Sequence, residues 1–412
     1  MKTSRRNLLK VGLSALPVIS LSGSIPAFVS QMAFAEQARR PELSNDNILV
    51  VLQLTGGNDG LNTVVPFADD AYYRARPKIG VGKDRVVRLD DHFGLNPGLA
   101  PLKPLYDQGH LAVVNGCGYP SPNRSHFRSM EIWQTANPKA SQSTGWLGHY
   151  LDHTARGGQG PVLAMNIGTE LPQALVNEGS PVPSIEKLDD FRLKSSANSA
   201  QGKLEREIVM ELNKASDEQS PARKFLARQA TNAILATEKV HDVSRESASN
   251  VFYGFEGIGP QLQLIANLIA ANSGTRLFYL QTSGFDTHAS QPEMHERLLN
   301  QVAQALAAFH QDLSAKGLAE KVMVMTFSEF GRRVAENSSQ GTDHGAAAPM
   351  FVMGGKVKAG IFGKMPSLTD LDDGDLKFTT DFRRVYATIL DKWLNAESAK
   401  VLGGKYEALA FL

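Results

Sequence analysis

After residue 47 the chain alternates short apolar runs with longer stretches in which apolar residues recur every three or four positions. The runs cover residues 48–54, 111–114, 162–167, 277–280, 322–327 and 350–353, each short enough for a strand buried on both faces. Between them, 201–237 and 291–315 carry helical spacing, the second through Leu298, Val302, Leu306, Phe309 and Leu313. Asp381 is placed to cap a last helix over 382–394, and a shorter helix is expected over 128–136. This order predicts an α/β fold with a mostly parallel central sheet and helices on both faces. The stretch 181–220 is richer in Ser, Lys, Asp and Glu and reads as an insertion into a single domain spanning 36–412.

The first 35 residues follow a different pattern. Arg5 and Arg6, then Asn7, an apolar pair and Lys10, precede an apolar stretch interrupted by Gly, Ser, Pro17 and Pro26, and Ala33-Phe34-Ala35 closes it. Charged region, weak apolar region and small-x-small cleavage site follow in the order of a signal peptide, and the arginine pair resembles the twin-arginine export signal. The expected partner is therefore the twin-arginine export machinery, and the expected location is periplasmic or secreted, with no membrane anchor after cleavage. The two prolines and repeated serines make a poor spanning helix.

Composition narrows the partners further. The 412 residues are 42% hydrophobic and 21% charged, an ordinary globular balance, with a formal net charge of +1. No excess of basic charge marks a nucleic-acid partner. Cys117 is the single cysteine, so neither an intramolecular disulfide nor a Cys-rich zinc site can form. At the end of an apolar run it reads as a buried structural thiol. Any metal must be held by His, Asp and Glu.

In an open α/β sheet, ligands bind beyond the carboxyl ends of the strands. The run at 48–54 is followed by Thr55-Gly56-Gly57-Asn58-Asp59-Gly60, the run at 277–280 by Ser283-Gly284-Phe285-Asp286-Thr287-His288, and the run at 322–327 by Ser328-Glu329-Phe330-Gly331-Arg332. Gly341-Thr342-Asp343-His344-Gly345 stands just before the run at 350–353. Asp59, Asp286, His288, Glu329 and His344, with Asp343 as a further candidate, offer the carboxylate and imidazole mixture that divalent cations bind. Zinc, manganese, magnesium or calcium is expected, as one or two ions. Each motif also has a plainer role: Asp59 as a turn former, Glu329 as the partner of Arg332 or Arg333, His344 as a loop histidine. Ser125 precedes the helix expected at 128–136, where it is either a nucleophile or an N-cap, with Arg124 and Arg332 as candidates to steady an oxyanion. His110, His241 and His310 have no ligand-like neighbours and read as structural, while Trp133, Trp146 and Tyr150 read as core or pocket wall.

The twin-arginine leader together with Thr-Gly-Gly-Asn-Asp-Gly (55–60), Arg-Ser-His-Phe (124–127), Gly-Phe-Asp-Thr-His (284–288), Ser-Glu-Phe-Gly-Arg (328–332) and Thr-Asp-His-Gly (342–345) resembles the exported bacterial family catalogued as domain of unknown function 1501. That family in turn is similar to the alkaline phosphatase and sulfatase superfamily, and the resemblance implies an alkaline-phosphatase-like α/β fold. It also implies a first metal-binding Asp at Asp59, a nucleophile at Ser125, an Asp and His pair at Asp286 and His288, a strand-end acid at Glu329 and a final His at His344. The pair here is more closely spaced than in the superfamily, and Phe330 stands where a His is usual. One of two metal positions is then incomplete, or completed by His126 or Asp343. The segment 121–124 is too short for the sulfatase formylglycine motif. The expectation is an exported metal-dependent hydrolase of phosphate, sulfate or related small anionic esters; the alternative is a non-catalytic exported metal-binding or assembly protein on the same fold.

Overall fold

The computed structural model describes residues 46–139, 141–154, 163–178, 182–186 and 249–412. The leader at 1–35, the helical stretch at 201–237, most of the insertion at 181–220 and His241 lie outside the described residues.

The apolar runs form the sheet. They give β1 (Ile48–Leu54), β2 (Leu111–Gly118), β3 (Ala164–Ile167), β4 (Leu277–Thr282), β5 (Val322–Phe327) and β6 (Ala348–Gly354), and a short β7 (Gly360–Phe362) adds an edge. The order is β7-β2-β6-β5-β1-β4-β3, and a two-residue strand at Thr380–Asp381 also pairs with β2. β1 lies in the interior of the sheet, parallel to β4 with Leu49 opposite Leu277 and parallel to β5 with Ile48 opposite Val322. The sheet is mostly parallel, as expected; β6 alone is reversed and runs antiparallel to both β2 and β5. No helix occurs between β5 and β6, so the chain has no crossover to carry it back, and an antiparallel return is what such a connection allows.

Successive residues of β1 point to opposite faces, and each face has its own core. Leu49 and Val51 pack with α1 (His126–Thr135), α2 (Trp146–Thr154) and α5 (Phe382–Lys392). Val50, Leu52 and Leu54 pack with α3 (Gly259–Ala270) and α4 (Gln291–Ala315). Each such buried aliphatic side chain contributes about 1.5–3 kcal/mol, and that burial makes the sheet a rigid base for the loops at its ends. α4 occupies the expected span, and Asp381 caps α5 by accepting from the Arg383 N–H at 3.0 Å. α3 escapes sequence analysis because it is apolar almost all round, buried between sheet and α4, and shows no polar face to mark its period. Trp133, Trp146 and Tyr150 are core residues, and Cys117 is fully buried, with burial pushing its thiol pKa well up. His110 and His310 stack with ring centres 4.9 Å apart. Among the described residues, no helix is long and apolar enough to cross a membrane.

His295 of α4 lies under the loop after β1, buried, donating from Nε2 to Asn58 Oδ1 at 2.8 Å. Burial lowers its pKa to about 4, and it does the same for His310. In the unfolded chain both imidazoles titrate near 6.5, so between about pH 4 and 6.5 the unfolded state binds the extra protons and stability falls as pH falls. His295→Gln keeps a donor for Asn58 and should flatten the slope of melting temperature against pH in this window by about half. An unchanged slope would exclude His295 as a source of the pH dependence.

Candidate metal centre

The loops after β1, β4 and β5 emerge at the same end of the sheet, and reversed β6 begins there, so residues 341–345 join them. α1 starts at this end too, with His126 as its first residue.

Three imidazoles meet one carboxylate. His126 Nδ1 lies 2.8 Å from Glu329 Oε1. A carboxylate only accepts, so Nδ1 carries the proton and Nε2 keeps its lone pair. That Nε2 is buried without a hydrogen-bond partner, 3.5 Å from Asp286 Oδ2. His344 Nδ1 donates to the Arg124 carbonyl at 2.9 Å, which leaves its Nε2 3.1 Å from Asp286 Oδ1. His288 Nδ1 faces Asp343 Oδ1 at 3.4 Å, and its Nε2 lies 3.0 Å from Asp286 Oδ1 and 2.9 Å from His344 Nε2. Ligand atoms of His126, Asp286 and His344 fall within 4.8 Å of one another, the one group of this kind among the described residues. Lone pairs this close to each other and to a carboxylate repel unless a positive charge lies among them. A backing acceptor on each Nδ1 is the arrangement that orients metal-ligating histidines, and the unpartnered Nε2 of His126 fits it. The residues therefore fit a cation.

Arg332 supplies the fixed positive charge. Burial opposes ionisation of Asp286, but the Arg332 Nη2 hydrogen bond at 2.7 Å prevails and holds its carboxyl down to about 2. Arg332 is itself buried, and its remaining N–H groups go to the carbonyls of Gly56, Gly57 (2.6 Å), Phe285 (3.1 Å) and Thr342 (2.8 Å) and, at 3.5 Å, to His288 Nε2. None is left to face an oxyanion, the role the sequence suggested for it. Asp343 is held below its usual range first by a hydrogen bond from Asn337.

Two expected ligands sit elsewhere. Glu329 is fully buried behind His126: Oε1 also accepts the Gly56 N–H at 2.8 Å, and Oε2 faces Ser328 Oγ at 3.1 Å. In this position it fixes the orientation of the His126 ring. Asp59 caps the short helix Gly60–Thr63 and holds Arg76 Nη1 with both oxygens, at 2.8 and 2.7 Å, with Gln291 Nε2 at 2.5 Å. Burial works against its ionisation, but Arg76 prevails and the pKa is lowered. A carboxylate this deep requires a cationic partner, and the arginine already provides one. No signal near Asp59 in the sequence announces Arg76. The glycines of this loop serve packing: at Gly56, with φ 122, a Cβ would lie 2.4 Å from the Asp286 nitrogen, and at Gly57, with φ 72, 2.1 Å from the Phe330 ring. Phe330 in turn packs its ring 4.9 Å from His126 and 4.7 Å from His344.

Ser125 is exposed and holds the N-cap position of α1, yet its side chain makes no capping hydrogen bond. It stands between Arg124, whose carbonyl holds His344, and His126. The Arg124 guanidinium turns to Asp375, 2.8 Å from Nε, and to Asp373.

The model of a family described as "Protein of unknown function (DUF1501)" matches residues 112–401, a span that includes His126, Asp286, His288, Glu329 and His344 and leaves out the loop at 55–60. No curated protein matches the chain. Solved structures overlap it loosely. A protein in the alkaline phosphatase superfamily from Vibrio parahaemolyticus is 11% identical, with 83% of this chain and 71% of that chain covered and a TM-score of 0.33. For the lipoteichoic acid synthase LtaP from Listeria monocytogenes the figures are 10%, 82%, 75% and 0.37. For the alkaline phosphatase from the Antarctic bacterium TAB5 they are 11%, 77%, 94% and 0.31. Overlaps this loose carry neither a site nor a reaction across to this chain.

Asp59→Asn leaves the Arg76 charge buried and unpaired, so urea unfolding should show a loss of about 3–5 kcal/mol. A loss below about 1 kcal/mol would mean that the pair does not hold this loop.

Proposed function

Because the chain belongs to the family described as "Protein of unknown function (DUF1501)", and that description leaves activity open, we propose from its own residues that it is an exported, divalent-cation-dependent hydrolase of phosphate, sulfate or related anionic esters. The observation that carries the reading is the convergence of His126, His288 and His344 on Asp286, each imidazole backed at Nδ1 by an acceptor. His126, Asp286 and His344 would hold the cation, with His288 completing the set. Three nitrogens and one carboxylate suit zinc or manganese better than magnesium or calcium, which prefer oxygen. Asp59 and Glu329 are engaged with Arg76 and His126, so the proposal takes one ion. When bound, the cation would supply Lewis-acid charge for an ester and would lower the pKa of a hydroxyl bound to it.

Ser125 is the nucleophile in this reading. Its uncapped, exposed side chain is available to substrate, and the free N–H groups at the start of α1 favour the developing negative charge. Asp286 remains anionic throughout the working pH range because Arg332 holds it so. Glu329, Asp343 and the Arg124 carbonyl fix the three rings. Export rests on the twin-arginine pattern in the first 35 residues. One observation favours the alternative of a non-catalytic metal-binding or assembly protein: Arg332 has no N–H free for an oxyanion.

Metal analysis of protein purified without chelator should find about one zinc or manganese per chain, and His344→Ala should remove most of it. On a panel of phosphate and sulfate esters, Ser125→Ala should lower kcat by at least about a thousandfold while leaving the metal content unchanged. Bound metal with no Ser125-dependent turnover would favour the non-catalytic alternative, and folded protein without metal would contradict both.

A further inference from the structure

Arg124 and Arg333 both border the cluster along the chain, and their guanidiniums meet at one point. Arg124 precedes Ser125 and His126. Arg333 follows Arg332, and its N–H donates to the Asp343 carbonyl at 3.0 Å. Arg124 Nη1, Arg124 Nη2 and Arg333 Nη2 all lie 3.2 Å from a single oxygen, Asp373 Oδ2. A second carboxylate positions the pair: Asp375 Oδ2 accepts from Arg124 Nε at 2.8 Å, and its Oδ1 lies 3.7 Å from Arg333 Nε. The two acids differ in burial, with the Asp375 side chain 4% exposed and that of Asp373 78% exposed.

Local sequence dictates how Asp373 is presented. Leu371–Asp372 pairs antiparallel with Asp375–Leu376, so Asp373 and Gly374 form the two-residue turn between them. Both have positive φ, 50 and 86, as a type I′ turn requires and as Asp-Gly favours. The Gly374 carbonyl accepts the Val334 N–H at 3.2 Å, which anchors the tip. The turn thus delivers a carboxylate to the two arginines, and a side-chain rotation alone can withdraw it. Once withdrawn, two guanidiniums face one buried carboxylate, and a net positive charge is left beside the cluster.

We propose that Arg124 and Arg333 form an anion-binding subsite, and that Asp373 fills it as an internal competitor until an oxyanion group of the substrate takes its place. The subsite stands on the arginine and aspartate geometry; that its occupant is a substrate group rests on the hydrolase reading. The ligand class follows from the donors: planar guanidinium forks match the oxygens of phosphate, sulfate or carboxylate.

Calorimetric titration of the full chain with inorganic sulfate and with inorganic phosphate tests this. Asp373→Asn keeps a residue suited to positive φ and removes the competing charge, so both anions should bind about 3- to 10-fold more tightly than to the parent. Asp372→Asn, which removes an adjacent exposed charge that the arginines do not contact, should change affinity less than about twofold. Adding Arg333→Gln to Asp373→Asn should abolish the gain. The gain should survive chelator treatment and His344→Ala, which separates this subsite from the cation reading. Equal effects of Asp373→Asn and Asp372→Asn, a gain that survives Arg333→Gln, or a gain that disappears with His344→Ala would each overturn the subsite.

Discussion

The cluster depends on one buried guanidinium. Arg332 follows β5 and donates to carbonyls of the loops after β1 and β4 and of the segment before β6, as well as to the Asp286 carboxylate. A charge at this depth is tolerated only when every N–H is satisfied and a counter-charge is near, so the loops settle where they can meet it. Lysine could not replace it, because a single ammonium lacks the fork that reaches several loops at once. Positioning and electrostatics therefore come from the same group: Arg332 gathers the chain segments and keeps Asp286 ionised.

The rest of the arrangement follows from hydrogen-bond direction. Glu329, Asp343 and the Arg124 carbonyl are acceptors, and each turns the Nε2 lone pair of a histidine toward Asp286. The Nε2 atoms of His288 and His344 and Asp286 Oδ1 lie about 3 Å from one another, with His126 Nε2 3.5 Å from Asp286 Oδ2, and together they offer a donor set for a cation. Behind this cluster the Asp59 and Arg76 pair closes the loop after β1 as a neutral unit, so that loop supports the cluster through Gly56 and Gly57 and adds no charge to it.

Much of this was legible in the sequence. The six apolar runs became the main strands of the sheet, and α4 occupied the span its periodicity marked. Asp286, His288 and His344 stand near strand ends in the sequence as in the structure, whereas His126 entered only through the family resemblance. Three things were not legible, each for a physical reason. The direction of β6 depends on the lack of a crossover helix between β5 and β6. α3 has no polar face to betray its period. Finally, a sequence does not say which carboxylate a distant arginine will take: Asp59 pairs with Arg76, and Glu329, adjacent to arginines in sequence, faces His126 and Gly56 instead.

X-ray absorption spectroscopy of zinc-loaded protein examines the central arrangement most directly, since it reads the atoms around the ion without reference to turnover. The account predicts a shell of about three imidazole nitrogens and one carboxylate oxygen at about 2.0–2.2 Å. A shell made of oxygens alone, or folded protein that takes up no zinc, would contradict it.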